Sequence, residues 1–157
     1  MKAIVIYYSR SGTTKKMAES IHQELSDNGI ESDISSVSEI TAKALLGYDG
    51  IAIGSPTYYG TMAAEVKNLL DQSVSLHGQL DGKIGGAFSS AANIAGGNET
   101  TVLSILQAML IHGMVIQGDF NGDHYGPVAI GNIDERCIEN CKRFAKRFAQ
   151  LLKEKRG

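Results

Sequence analysis

A strong net charge, a cysteine framework and a long apolar run are all missing from this 157-residue sequence. Its 15 Lys and Arg against 17 Asp and Glu leave a formal charge of −2, so nothing in the charge balance favours nucleic acid as a partner. Only two cysteines occur, Cys137 and Cys141. Four apart on a predicted helix they face one way, which suits a reduced core pair and leaves no zinc set. No apolar run reaches the roughly 20 residues of a membrane helix, and no signal-peptide pattern precedes the first strand-like run. These absences lead us to expect a reduced, cytoplasmic protein with no membrane or nucleic-acid partner and no metal. Prolines number two, Pro56 and Pro127, and no repeat or low-complexity tract marks a linker. Residues 1–157 are therefore expected to form one domain, which at this length buries roughly 70% of the surface of its unfolded chain. The signatures GxxxxGK[ST] and GxGxxG are absent, which excludes a Walker loop and a dinucleotide fingerprint. Neither Cys nor Asp ends the first apolar run, which removes a phosphatase cradle and a phospho-acceptor site.

What is present is a regular alternation of patterns. Four apolar runs predict buried strands: Lys2–Tyr8, Gly50–Gly54, Lys83–Ser89 and Met114–Gln117. A weaker alternating stretch, Glu31–Val37, predicts a strand at the sheet edge. Between the runs the period becomes helical, through Met17, Ala18, Ile21 and Leu25, then Val66, Leu69, Leu70 and Val74, then Val102, Leu103, Leu106 and Leu110. A last helix carries Cys137, Ile138, Cys141, Phe144, Ala145, Phe148, Leu151 and Leu152, with a basic opposite face. Lys153 to Arg156 suit its C-terminus. Alternating strands and helices predict an α/β fold, a doubly wound, five-stranded parallel sheet with helices on both faces.

In such a sheet ligands bind outside the carboxyl ends of the strands, so the segments that follow the strands belong together. After the first strand comes "SRSGTT", residues 9–14. Hydroxyls of Ser9, Ser11, Thr13 and Thr14, with Gly12 and the open amides of a helix start, would surround one phosphate. Helix capping by the same Ser and Thr residues is the plainer alternative. After the second strand, "GSPTYYG" stiffens the exit with Pro56, offers Tyr58 and Tyr59 as a flat surface and frees the backbone at Gly60, before a helix predicted near Thr61. Ordinary packing of one tyrosine and exposure of the other is the alternative there. The third segment, "SSAANIAGG", has no ionisable side chain and would present its backbone to a polar ring edge, with Asn98 as the next N-cap. One phosphate site beside a place for a flat ring points to a phosphorylated planar heterocycle, and to flavin mononucleotide (FMN) ahead of a dinucleotide. His22, on the polar side of the first helix, and His124, in a turn, are expected to be structural. The "NGD" beside His124 resembles a calcium loop only superficially.

These motifs carry a family resemblance. "YYSRSGTTKKMA" resembles the phosphate loop of flavodoxins. "GSPTYYGTMAAEVKNLLDQ", "GKIGGAFSSAANIAGGNETT" and "IHGMVI" resemble the flavodoxin-like NAD(P)H:quinone oxidoreductases first named as tryptophan-repressor-binding proteins. The segment joining the weak strand to "GIAIG" and the connection from "MVIQ" to "HYGPVAIG" are shorter than in those larger enzymes. The resemblance implies strand order 2-1-3-4-5 and non-covalent FMN. It also implies that Ser9, Arg10, Ser11, Gly12, Thr13 and Thr14 hold the phosphate. Pro56, Thr57, Tyr58, Tyr59 and Gly60 would border the ring, and Ser90, Ala91, Ala92, Asn93, Ile94 and Gly96 would line its other side. His112 matches a histidine that in the family reaches the flavin site from a neighbouring subunit, so a dimer or tetramer is implied.

Two functions follow. One is an enzyme that passes electrons from NAD(P)H through FMN to a quinone or similar small acceptor, with Tyr59 and His112 at the reacting edge. The other is an electron carrier that docks to redox-protein partners. Carriers of this type are strongly acidic, and −2 is not, so the sequence leans to the enzyme. The Tyr59–Gly60 peptide is further expected to turn over and hydrogen-bond the reduced ring, with Gly60 permitting the change.

Overall fold

The structure is a computed structural model that describes residues 1–155; Arg156, expected in the last helix terminus, lies outside the described residues. The chain runs β1 (Lys2–Tyr7), α1 (Thr13–Asp27), β2 (Glu31–Ser36), β3 (Gly50–Tyr58), β4 (Thr61–Met62) and α2 (Ala64–Gln72). It continues through β5 (Ile84–Ala91), α3 (Asn98–Ile111), β6 (Val115–Ile116), β7 (Val128–Ile130) and α4 (Glu135–Glu154). The parallel sheet has the order β2-β1-β3-β5-β6, with β7 further along the same edge of β5 and β4 folded back on β3 as a hairpin.

That order is the expected 2-1-3-4-5 winding with two additions. The short hairpin strand β4 stands where a helix start was predicted near Thr61; α2 begins at Ala64. The fifth position is divided between β6 and β7 because residues 117–127 leave the sheet and fasten to α4. There Asp119 accepts from Arg143 Nη2 at 2.8 Å, and Arg136 Nη1 donates to Asp123 Oδ1 at 2.8 Å. The guanidinium of Arg143 holds the Asp119 carboxyl below its usual range.

Strand parity explains the two layers. Ile4, Ile6, Ile51, Ile53 and Ala87 point to one face, where α2 and α3 cover them with Val66, Leu69, Val102, Ile105 and Met109. Ala3, Val5, Ala52 and Phe88 point to the other, under Met17, Ile21 and Leu25 of α1 and Cys137, Cys141, Ala145 and Phe148 of α4. Both cysteines are free and buried, as their spacing implies. Large rings fit in the second layer because glycines lie beneath them. A Cβ on Gly50 would stand 2.6 Å from Phe148 Cε1, one on Gly86 2.5 Å from Phe144 Cζ, and one on Gly54 would clash with the Cε2 edge of the Phe88 ring. With helices on both faces, the open end of the sheet is left to the strand-exit loops.

Candidate functional site

The first of these loops opens α1. Gly12 occupies the N-cap with φ 98°, and no side chain caps the helix, so the serines and threonines here are not serving as its caps. The first-turn amides are left without intrahelical acceptors and aim at the strand ends, where the helix dipole is positive. Gly12 N–H donates to Ser9 Oγ at 3.0 Å, Thr13 Oγ1 to Gly131 O at 3.4 Å, and Thr14 Oγ1 pairs with Ser90 Oγ at 2.9 Å. Thr14 is 1% exposed; its hydroxyl ties the first loop to the third. Ser9 and Thr14 thus shape the loop, while Ser11 and Thr13 keep hydroxyls available to a ligand.

The second loop is longer in the sheet than its apolar pattern implied, because β3 continues through Pro56, Thr57 and Tyr58 before the hairpin. Tyr59 and Gly60 form the two-residue turn, at φ 50° and 80°, successive positive values that mark the type I′ hairpin turn. The turn separates the two tyrosines. Tyr58 stays at the cleft, and Tyr59 projects fully into solvent. In the third loop Ser90 and Ala91 are the buried end of β5, and Ala92 follows at the surface. Asn93, Ile94 and Gly96 then turn away, closed by a Gly96 N–H to Asn93 O bond of 3.1 Å. Gly97, at φ 96°, is the N-cap of α3, and Asn98, expected as the cap, is the first residue of the helix.

Together the loops bound a cleft of ≈ 420 Å³. Arg10, Ser11, Thr13 and Thr14 line one side, Pro56, Thr57 and Tyr58 another, and Ser90, Ala91 and Ala92 a third. Ser9, Gly12, Tyr59, Gly60, Asn93, Ile94 and Gly96 lie outside that lining. A fourth segment completes the cleft: Gly131, just after β7, lines it and donates its N–H to Ala91 O at 2.7 Å. Its signal was the run "VAIG", which repeats the "IAIG" of β3 but is only three strand residues long. Arg10 is the one charged side chain in the lining, and no carboxylate joins it. Tyr8, before the first loop, has its phenol held above the usual range chiefly by hydrogen bonding to the Glu65 carboxylate.

His112 is not brought to this cleft. It follows the last residue of α3, and 14 residues of helix put it about 20 Å from the loop end. The ring is 8% exposed and its Nε2 lies 2.8 Å from Ser73 Oγ. Ser73 spends its single proton on Leu70 O at 2.7 Å, so Nε2 of the histidine is the donor and Nδ1 is an acceptor. That Nδ1 is buried without a partner. Burial first, and the charge of His77 second, depress the His112 pKa below 6.5. The native chain therefore favours neutral His112, while the unfolded chain takes up a proton near pH 6.5. The stability this contributes is complete above that pH and is lost as pH falls through the lower native value. Between pH 7.5 and 5.5, urea midpoints are expected to fall more for wild type than for His112→Gln; equal falls would refute the assignment. His22 bonds Ser32 Oγ at 2.9 Å and His124 bonds Asp119 O at 2.7 Å, structural roles in both cases. Among the described residues no cluster of His, Cys, Asp or Glu can hold a metal ion, and no helix is long and apolar enough to cross a membrane.

The winding, the uncapped helix start and the cleft across the strand ends define a doubly wound α/β protein of the mononucleotide-binding class. The flavodoxin-domain family profile matches residues 4–107. A flavodoxin of Aquifex aeolicus is 39% identical over 96% of this chain and 86% of its own. An NAD(P)H dehydrogenase (quinone) of Sinorhizobium fredii is 36% identical over 74% of this chain and 70% of its own. A solved flavodoxin from the domain Archaea superposes with a TM-score of 0.83 at 28% identity, over 98% of this chain and 99% of that one. This chain belongs to the flavodoxin family, whose cofactor is FMN.

The residues fit that cofactor. The uncapped α1 terminus, Ser11, Thr13 and Arg10 supply donors and positive charge for a phosphate, and no carboxylate opposes it. The cleft volume lies in the range of small-molecule sites, and Tyr58 gives it an aromatic wall.

Proposed function

We propose that this chain is an FMN electron carrier that exchanges electrons with redox-protein partners. The observation that carries this reading is the content of the cleft: room for one mononucleotide, and no side chain placed for acid–base work. His112, expected to reach the flavin site of a neighbouring subunit, is buried against Ser73 of its own chain at the far end of α3. The coverage of the relatives agrees, since the chain spans nearly the whole of the flavodoxins and about 70% of the quinone dehydrogenase. When bound, FMN supplies the electron uptake and release. The protein's part is to hold it: Ser11, Thr13 and the first amides of α1 would grip the phosphate, Arg10 would neutralise it, and Pro56, Thr57 and Tyr58 with the neighbouring Ser90, Ala91 and Ala92 would border the ring. Residues 1–157 act in this as one domain.

The second reading, an NAD(P)H-dependent reductase of quinones, is favoured by the low net charge and by the lack of carboxylates in the cleft. One experiment separates the two. The purified chain is loaded with FMN, and its visible spectrum is followed under anaerobic NADH and NADPH, then NAD(P)H loss is measured with benzoquinone. A carrier stays oxidised with nicotinamide yet reduces stepwise with a low-potential donor. Bleaching by nicotinamide with quinone turnover establishes the reductase, and a chain that binds no FMN ends both.

The Tyr59–Gly60 turn offers a further check. At φ 80° a β-branched residue is a strained outlier, so Gly60→Val is expected to rebuild the turn and to move the bound flavin's first reduction potential. An unchanged potential would show that the turn is not coupled to the ring.

A further inference from the structure

The hairpin turn and α3 are joined by hydroxyl contacts outside the cleft lining. Thr100 Oγ1 lies 2.6 Å from Gly60 O and 2.9 Å from Gly97 O. Thr101 Oγ1 lies 2.8 Å from Gly97 O and 3.0 Å from Thr57 Oγ1, on a side chain with no exposure. A hydroxyl has one proton and serves one acceptor at a time. Gly97 O also receives the Thr101 N–H at 2.9 Å, so it keeps a donor whichever way the two hydroxyls turn. The allocation that leaves no acceptor short runs from Thr101 Oγ1 to Thr57 Oγ1 and from Thr100 Oγ1 to Gly60 O, with Gly97 O served by the Thr101 N–H. Backbones meet here too, since a Cβ on Gly97 would stand 2.7 Å from Gly60 Cα.

We propose that Thr100 is a positioning residue whose hydroxyl holds the Tyr59–Gly60 turn in its cofactor-ready form before FMN arrives. The proposal rests on the FMN reading of the cleft. A turn that sets a tyrosine at φ 50° beside a glycine free to adopt either sign of φ has alternatives to sample. Anchoring Gly60 O to the first turn of a rigid helix removes them, and a binding wall that is already ordered need not be ordered by the ligand. Thr57, which lines the cleft, accepts from the hydroxyl of Thr101, the next residue of α3, so the turn and the cleft wall are fastened to the same end of one helix.

The test compares Thr100→Val and Thr100→Ser with wild type in the full chain. Two readouts are taken: backbone ¹⁵N heteronuclear NOEs at Tyr59, Gly60 and Thr61 without FMN, and the FMN dissociation constant from quenching of flavin fluorescence. Valine is expected to lower the three NOEs and weaken FMN about three- to tenfold, the span of one hydrogen bond. Serine is expected to restore both. Wild-type NOEs and affinity in the valine variant, or a serine variant that behaves like valine, would overturn the proposal. Failure of wild type to bind FMN would remove the cofactor reading instead, while the NOE comparison still decides the anchor.

Discussion

Removing the two free hydroxyls of the first loop, Ser11→Ala with Thr13→Val, is expected to weaken FMN binding about a thousandfold while leaving riboflavin binding nearly unchanged. Hydrogen bonds to a charged acceptor each contribute roughly 1.5–3 kcal/mol, and two of them at about 2 kcal/mol amount to three decades in affinity. The choice of these two residues comes from the hydrogen bonds already made. Ser9 is engaged by Gly12 N–H and Thr14 by Ser90. Thr13 has only a long contact to Gly131 O at 3.4 Å, and Ser11 makes no side-chain hydrogen bond among those of the described residues. Riboflavin has the ring without the phosphate, so the ratio of the two dissociation constants isolates the phosphate. Equal losses for both ligands would mean that the loop had collapsed and that the phosphate does not sit there.

Gly54→Ala is expected to cost about 3 kcal/mol of stability, at the upper end of overpacking penalties, and to lower the melting temperature by about 10 °C for a chain of this size. Gly54 pairs with Tyr7 and Phe88 of the flanking strands, so its backbone is held on both sides. The added methyl would clash with the Cε2 edge of the Phe88 ring, which is wholly buried. The pair is therefore strongly coupled, and the double variant Gly54→Ala with Phe88→Leu is expected to be less damaged than the sum of the two single changes. Additive losses in calorimetry would show that the methyl and the ring do not compete for the same space.

Both predictions begin in features that were visible as sequence. "KAIVIYY" and "GIAIG" read as central strands because a strand covered on both faces has no polar side, and "SRSGTT" read as a ligand loop because it follows one. The errors share a cause. Strand ends, caps and short strands depend on which backbone groups find partners across the sheet. β3 extends to Tyr58 because β4 and β5 pair with it, and Gly97 displaces Asn98 as cap because it alone takes the left-handed conformation next to Gly60. The loop 117–127 splits the last strand, and the anchor that holds it, Asp119 to Arg143, spans 24 residues of sequence.

The sequence by itself determined the alternation of strands and helices, the two-faced burial and the three strand-exit segments, because periodicity and strand-exit chemistry are local; the strand order came with the family resemblance. Only the tertiary structure decided which members of those segments turn inward. Tyr58 faces the cleft and Tyr59 faces water because the chain enters the hairpin turn at Tyr59, with φ 50°. Gly131 joins the site because β7 adds beside Ser89 to Ala91. His112 stays away from its own chain's cleft because a helix that starts at the cleft carries its last residues to the far end of the sheet. Neighbours along the chain were legible from residue types; neighbours in space required the hydrogen bonds and packing that bring the strands together.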